Sequence, residues 1–241
     1  MAQRKGKTLQ NPFQYLKMAL LGTFVLSCIY ALNQIHLSHY FPIKTVRIYG
    51  INRSDHQEVQ ALLLPLVNNG FFKVNVDYIR DRLQQLPWVS NIAVRRDWPD
   101  QVEITLIEKN PVARWNSQGL LSESGEVFLP DPNTYPAHLP ILIGPEGKQL
   151  MVLQYFNEIN HVLQPIHTKV AYLEMTPYLS WKLTLDNGIA LQVGHKDILT
   201  RLDHFVKVYP KIVGNRATDV EYIDLRYPNG MAVRWKTVEA V

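Results

Sequence analysis

From residue 18 to residue 35 the chain carries no charged side chain, and residues 18–32 read MALLGTFVLSCIYAL, almost wholly apolar. A helix of that length rises about 27 Å, close to the ~30 Å hydrocarbon core of a bilayer. The run therefore predicts one short transmembrane helix over 18–36. Arg4, Lys5, Lys7 and Lys17 precede it, and no Lys or Arg follows until Lys44. The positive-inside rule then puts residues 1–17 in the cytoplasm and the rest of the chain beyond the membrane. Phe13, Tyr15, Tyr30 and Tyr40 stand near the two ends, as an interfacial aromatic belt does. A cleaved signal peptide is the first rival, but no small-x-small cleavage site follows the run. A lipoprotein signal at Val25, Leu26, Ser27 and Cys28 is the second. Leu26 fits it poorly, and processing there strands Ile29, Tyr30 and Leu32 in a polar tether. Cys28 reads as a small apolar residue of the span. As the only cysteine it forms no internal disulfide, so the fold stands on its core.

The same four cations account for the formal charge of +4, because the 21 basic residues that follow equal the 21 acidic ones. A neutral body argues against nucleic acid as the main partner, since duplex binding needs clustered Lys and Arg against phosphates. The 46% hydrophobic and 19% charged composition suits a folded body of about two small domains.

Segment 43–49 alternates and ends at Gly50, which predicts a strand. Ser54 with Gln57 three residues on is a capping-box pattern, and Val59, Leu62, Leu63 and Leu66 form one helical stripe. Asn75 caps a second helix with Val76, Ile79, Leu83 and Leu86 on one face, ended by Pro87. Segments 92–96 and 102–108 read as strands around Trp98, Pro99 and Asp100, so the order is β-α-α-β-β. After Pro111 the pattern is strand-rich with helices inserted. Ser124, Gly125 and Glu126 mark a turn, and residues 130–140, with four prolines, an irregular connection. Val152, Tyr155, Phe156, Ile159 and Leu163 form a helical stripe. Trp181, Leu183 and Leu185 alternate into Asp186, Asn187 and Gly188 and out through Ile189, Leu191 and Val193, a hairpin. Ile198, Leu202, Phe205, Val206 and Tyr209 predict a helix ended by Pro210, and a last hairpin joins 222–227 to 231–235.

Several of these segments resemble the FtsQ (DivIB) family of cell-division proteins. The resemblance is carried by Leu86, Pro87, Trp88, Val89, by 94–100 (VRRDWPD) and by Val102, Ile104, Leu106, Glu108, Pro111, Val112, Ala113, Arg114 and Trp115. Gly144, Pro145, Glu146, Gly147, the hairpin 181–188 and above all 222–235 (YIDLRYPNGMAVRW) extend it. It implies an α+β chain with one N-terminal transmembrane helix. A polypeptide-transport-associated (POTRA) domain over 42–110 and a mostly antiparallel C-terminal β domain with inserted helices over 111–236 follow, both in the periplasm. It further implies a scaffold of the bacterial inner membrane at the division septum, in complex with FtsB and FtsL and linking early and late division proteins. The family's FtsB segment adds to the last strand, which points here to Tyr227, Asn229, Gly230, Met231, Ala232, Val233 and Trp235. Contacts of the POTRA domain with earlier division proteins point to Asn91, Val94 and Arg96. Family members often carry basic residues just before position 181, where this chain has Tyr178 and Leu179, so an ion-pair contribution from that loop is not expected.

No catalytic residue, metal or cofactor is expected. No pair of the eight histidines has the i, i+4 spacing of a helical metal site with an intervening Glu, and Ser122 and Ser124 do not form Gly-x-Ser-x-Gly. Residues 144–148 (GPEGK) lack the spacing of a phosphate loop, and nothing places them between a strand and a helix. Glu103, Glu108 and Asp100 read as solvated strand carboxylates, and Tyr222, Tyr227 and Trp235 as core or partner contacts before sugar platforms. The rival functions are a POTRA-containing periplasmic chaperone or outer-membrane assembly factor, which calls for a barrel or repeated POTRA units, and an anchored hydrolase, which calls for a nucleophile. The topology carries a direct test. A reporter enzyme active only outside the cytoplasm, fused after Trp235, is expected to work; an inactive fusion of normal abundance overturns the membrane reading.

Overall fold

The computed structural model describes residues 12–34, 41–68, 70–214, 216–227 and 230–236, and within the first stretch the side chains of 17, 18 and 20–30. Helix α1 (Pro12–Gln34) carries the apolar run, and its described side chains are all exposed. Among the described residues no helix is long and apolar enough to cross a membrane. The end of the expected span, Ile35 and His36, lies outside the described residues, as do the four cations' first three, Arg4, Lys5 and Lys7. The chain divides into two compact units, residues 1–49, 56–83 and 92–105 in one and residues 50–55, 84–91 and 106–241 in the other.

The first unit is built on β1 (Thr45–Tyr49), α2 (His56–Val67), α3 (Val76–Leu83) and most of β2 (Val89–Asp97) and β3 (Gln101–Glu108), whose residues 89–91 and 106–108 count with the second; the order is the expected β-α-α-β-β. The sheet runs β1-β3-β2, with β1 parallel to β3 and Thr45 opposite Gln101. A parallel pair needs a long crossover, and α2 and α3 lie on it; the three-residue connection from β2 to β3 allows only an antiparallel return. Val59, Leu63 and Val67 of α2 and Ile79 and Leu83 of α3 are buried; of the expected stripes Leu62, Leu66 and Val76 are only half-buried, Val67 joins the buried face, and Leu86 is buried beyond the end of α3. Asn75 caps α3, its Oδ1 accepting the Tyr78 N–H at 3.0 Å. Helix α2 starts at His56, a residue later than a cap at Ser54 implies, and the Ser54 N–H donates to Glu108 at 2.9 Å.

The second unit carries a nine-stranded sheet ordered β12-β11-β10-β9-β8-β7-β4-β5-β6. Its strands are β4 (Pro111–Trp115), β5 (Gly119–Ser122), β6 (Val127–Phe128), β7 (Ile141–Ile143), β8 (Val170–Met175), β9 (Trp181–Leu185), β10 (Ala190–Gly194), β11 (Val220–Asp224) and β12 (Ala232–Trp235). Five neighbouring pairs are antiparallel and three parallel, so the sheet is mostly antiparallel. The parallel pairs explain the inserted helices. Helix α4 (Gln149–Leu163) crosses over between the parallel neighbours β7 and β8, and α5 (Ile198–Ile212) between β10 and β11. Both bury one stripe, Val152, Leu153, Ile159 and Leu163 from α4 and Ile198, Leu202, Phe205 and Val206 from α5, in the core that also takes Trp181, Leu183, Leu185, Leu191 and Val193.

Three expectations change. Pro210 does not end α5, which continues to Ile212; so close to a helix end, a proline forfeits one backbone bond without breaking the turn. Residues 144–148 do sit between a strand and a helix, β7 and α4, because Ile141–Ile143 is a strand too short to show alternation. They nevertheless form a turn, with the Lys148 N–H on the Pro145 carbonyl at 3.2 Å. The last hairpin's first strand stops at Asp224 instead of Tyr227.

The strand β5 is buried on both sides: Leu121 faces the main core, whereas Leu120 belongs to a smaller cluster with Trp88 and Phe128. The Trp88 and Phe128 rings meet edge-on at 5.3 Å, and the Trp88 Nε1–H donates to Thr134 Oγ1 at 3.0 Å. The Arg53 guanidinium lies 5.5 Å from the Trp88 ring centre. Glu108 fixes the segment that carries Arg53, its carboxylate accepting the N–H groups of Asn52, Arg53 and Ser54 at 2.9–3.0 Å. Gly50, at φ +86°, begins that segment, and a Cβ there would stand 1.9 Å from the Leu106 carbonyl oxygen. Partial burial pushes the Glu108 carboxyl up, but the three N–H donors outweigh it and hold it below the ordinary carboxylate range. A depressed pKa stabilises the fold above the unfolded value and loses that contribution as pH falls through the folded one. Replacing Glu108 by Ala is expected to cost about 1–3 kcal/mol at pH 7, as the N–H of buried Ser54 and those of exposed Asn52 and Arg53 lose their acceptor. Urea denaturation checks it, and the difference from the parent protein should shrink in acid.

Candidate partner-binding edge

Strand β12 closes one end of the nine-stranded sheet and, among the described residues, pairs on one side only, with Ile223 opposite Val233 and Asp224 opposite Ala232. The Lys236 N–H donates to Asp219 at 2.7 Å, towards β11. Because alternate residues of a strand turn their main-chain groups the same way, those of Arg234 and Ala232 also face β11. The N–H and C=O groups of Val233 and Trp235 therefore face outwards, along the open edge. Gly230 and Ala232 are exposed, Met231 and Val233 half-buried, and Trp235 rests under the Arg216 guanidinium, 4.5 Å from the ring centre. Asn229 lies outside the described residues.

Beside this edge runs a groove of about 500 Å³, lined by Arg201, His204, Lys207 and Val208 of α5 and by Leu225, Tyr227, Gly230 and Met231. Tyr227 is 57% exposed at its rim. The groove joins an apolar floor to a basic wall, and none of the residues lining it is acidic.

A charged clasp sets the start of the 225–231 segment. Asp224 is buried, and Arg226 folds back on it, with Nε 2.9 Å from Oδ1 and Nη2 2.7 Å from Oδ2, while the Arg226 N–H donates to Oδ1 at 2.9 Å. That geometry turns the chain out of β11 directly after Asp224, which is why the strand ends there. Arg226 holds the Asp224 carboxyl below its ordinary range, against burial and with further help from Arg201. Arg201 is itself tied to the Val193 carbonyl at 2.6 Å. Gly194, at φ +88°, leaves room for both cations: a Cβ there would lie 3.0 Å from Arg201 Nη1 and 3.2 Å from Arg226 Cγ.

The structure thus brings Tyr227, Gly230, Met231, Ala232, Val233 and Trp235 to one edge and groove. In the other candidate set, Val94 is half-buried and Arg96 exposed on β2, an outer strand of the three-stranded sheet, and Asn91 is exposed near the start of that strand. The sequence reading missed the basic wall of α5. The signal was present, since Arg201, His204 and Lys207 recur every three residues on the face opposite Leu202, Phe205 and Val206.

The carboxyls whose affinity is shifted, Glu108 and Asp224, move down, and the phenols of Tyr172 and Tyr209 move up, Tyr172 to about 12, through burial. All move away from the range useful for acid–base work. No group of three or more His, Cys, Asp and Glu among the described residues is placed to hold a metal ion.

Two family models match the chain. The model described as cell division protein FtsQ/DivIB, C-terminal, covers residues 113–226, and the FtsQ-type POTRA domain covers residues 41–109. Among curated proteins, the cell division protein FtsQ of Coxiella burnetii is 36% identical over 84% of this chain and 84% of its own length. That of Escherichia coli is 38% identical over 78% of this chain and 69% of its own. That of Shewanella oneidensis is 32% identical over 90% and 82%.

Replacing Asp224 by Asn keeps the shape of the clasp and removes its charge. The expected loss is about 1.5–3 kcal/mol at pH 7, the usual range for a hydrogen bond to a charged group. Because the Asp224 pKa is depressed, the clasp contributes fully above the unfolded carboxyl value of ~3.9 and fades as pH falls through the folded one. Denaturation midpoints of the two proteins should therefore differ at pH 7 and converge in acid. Equal midpoints at pH 7 would show that the clasp is dispensable.

Proposed function

The chain belongs to the FtsQ/DivIB family of cell-division proteins, and from that membership we propose that it is a non-enzymatic scaffold of the inner-membrane division machinery that binds FtsB, with FtsL, by strand addition to β12. The observation that carries this reading is the open edge of β12 beside a groove with a basic wall. Natural proteins blunt long sheet edges with charge, proline or brevity. The opposite end of this sheet follows that practice, since β6 has two residues and Pro130 follows closely. Segment 230–233 (GMAV) has neither charge nor proline, which suits a docking edge. Main-chain pairing supplies affinity in strand addition, and neighbouring pockets supply selectivity.

Residues 1–17 are a cytoplasmic tail, 18–36 the single membrane anchor, 42–110 the POTRA domain and 111–236 the periplasmic β domain. The anchor is supported by a run without charge from 18 to 35 and by exposure of the described apolar side chains on every side of α1, the pattern of a helix surrounded by lipid. Asn91, Val94 and Arg96 form a second surface that meets earlier-arriving division proteins.

Titration of the purified protein with a peptide of FtsB, alongside its melting temperature, tests the proposal. Tyr227→Ala removes an exposed aromatic anchor and is expected to weaken binding by about 2 kcal/mol, or roughly thirtyfold, with little change in melting. Val233→Pro deletes an outward main-chain donor and is expected to weaken binding further. Replacing Val94 and Arg96 should leave FtsB binding intact. Unchanged affinity in folded Tyr227→Ala and Val233→Pro proteins would remove FtsB from the β12 edge.

A further inference from the structure

A second concavity of the nine-stranded unit, about 660 Å³, lies at the end of α4 and is lined by Asn157, Asn160, His161, Gln164, His167, Thr168 and Lys169. Its volume is in the range of small-molecule sites, about 300–1,000 Å³. Its chemistry differs from that of the β12 groove. No acidic side chain and no wholly apolar one lines it. Among the described residues, the side chains of His161, His167 and Lys169 form no ion pair or hydrogen bond with the chain. Other exposed cations do so readily, as Lys44 with Asp100 and Lys207 with Asp203 show. Asn160 Oδ1 accepts the Val170 N–H at 2.9 Å, which fixes the amide and leaves its NH₂ as the end open to a ligand.

His167 adds an independent observation. It ends a short 3-10 turn (Gln164–Ile166) with φ 53°, the left-handed conformation that Gly or Asn takes most cheaply at a helix end. The chain keeps an imidazole where a glycine would relieve the backbone. Thr168, next to it, is buried and its hydroxyl meets no partner. Complementing the negative end of α4 accounts for His161 only, because that effect fades beyond the last turn, and His167 and Lys169 lie past it.

A ligand for this lining needs hydroxyl or amide groups for the Asn, Gln and His side chains, and a negative charge for Lys169. The lining side chains also expose carbon surface, which the ring faces of a sugar can cover, and they offer a cation no carboxylate. We propose that the pocket binds a carboxylate-bearing glycan, an amino-sugar unit of the bacterial cell wall whose lactyl carboxylate is free because its peptide has been removed. Access to such a chain rests on the periplasmic placement proposed above, but binding in solution does not depend on it or on FtsB.

The full-length protein in lipid nanodiscs is titrated by calorimetry with the disaccharide N-acetylglucosamine–N-acetylmuramic acid, with N,N′-diacetylchitobiose, which lacks the carboxylate, and with inorganic phosphate. Saturable binding of the first is expected, with the other two weaker by about tenfold or more. Lys169→Ala should abolish the preference for the carboxylate. His167→Gly should weaken binding about tenfold while leaving the melting temperature unchanged or higher, an outcome a merely structural His167 does not produce. Absence of saturable binding, equal affinity for chitobiose or phosphate, or unaltered binding by both variants overturns the proposal.

Discussion

Strand edges carry unpaired main-chain donors and acceptors, and how this chain treats its edges governs much of its architecture. In the nine-stranded sheet the seven inner strands pair on both sides, and among the described residues only β12 and β6 pair on one. One of these ends is two residues long and followed by proline; the other presents a regular strand with an apolar approach. The parallel pairs inside the sheet impose their own requirement. Each of β7–β8 and β10–β11 needs a crossover, and the crossovers are α4 and α5. The helix that makes the second crossover also lays Arg201, His204 and Lys207 along the groove beside β12. The basic wall is thus a consequence of how β11 is brought parallel to β10.

Two carboxylates do similar work in holding chain segments that leave the sheets. Glu108 collects the N–H groups of 52–54, and Asp224 collects the N–H and guanidinium of Arg226. In each case donors favour the charged form strongly enough to overcome burial, so both stay ionised at neutral pH. A carboxylate satisfied in this way fixes a loop by polar contacts. Arg53 over Trp88, and Tyr227 at the groove, are placed by these two devices.

The amino-acid sequence by itself determined the elements whose signal is local. The β-α-α-β-β order, the stripes of α2 to α5 and the hairpin around Asn187 and Gly188 all appear in periodicities of two or about 3.6 residues and in turn chemistry, and the tertiary structure keeps them. Strand ends were less legible where a side chain intervenes, as Asp224 does at the end of β11, or where a strand is as short as Ile141–Ile143. Only the tertiary structure decided the parallel pairing of β10 with β11, the membership of Trp88 in a cluster with Leu120 and Phe128, and the meeting of α5 with the 225–231 segment. It also assembled the polar pocket from the end of α4 and the residues beyond it. The physical reason is that pairing partners and pocket walls are set by contacts between residues far apart in the chain. A periodicity states which face of an element is buried; it does not state against what.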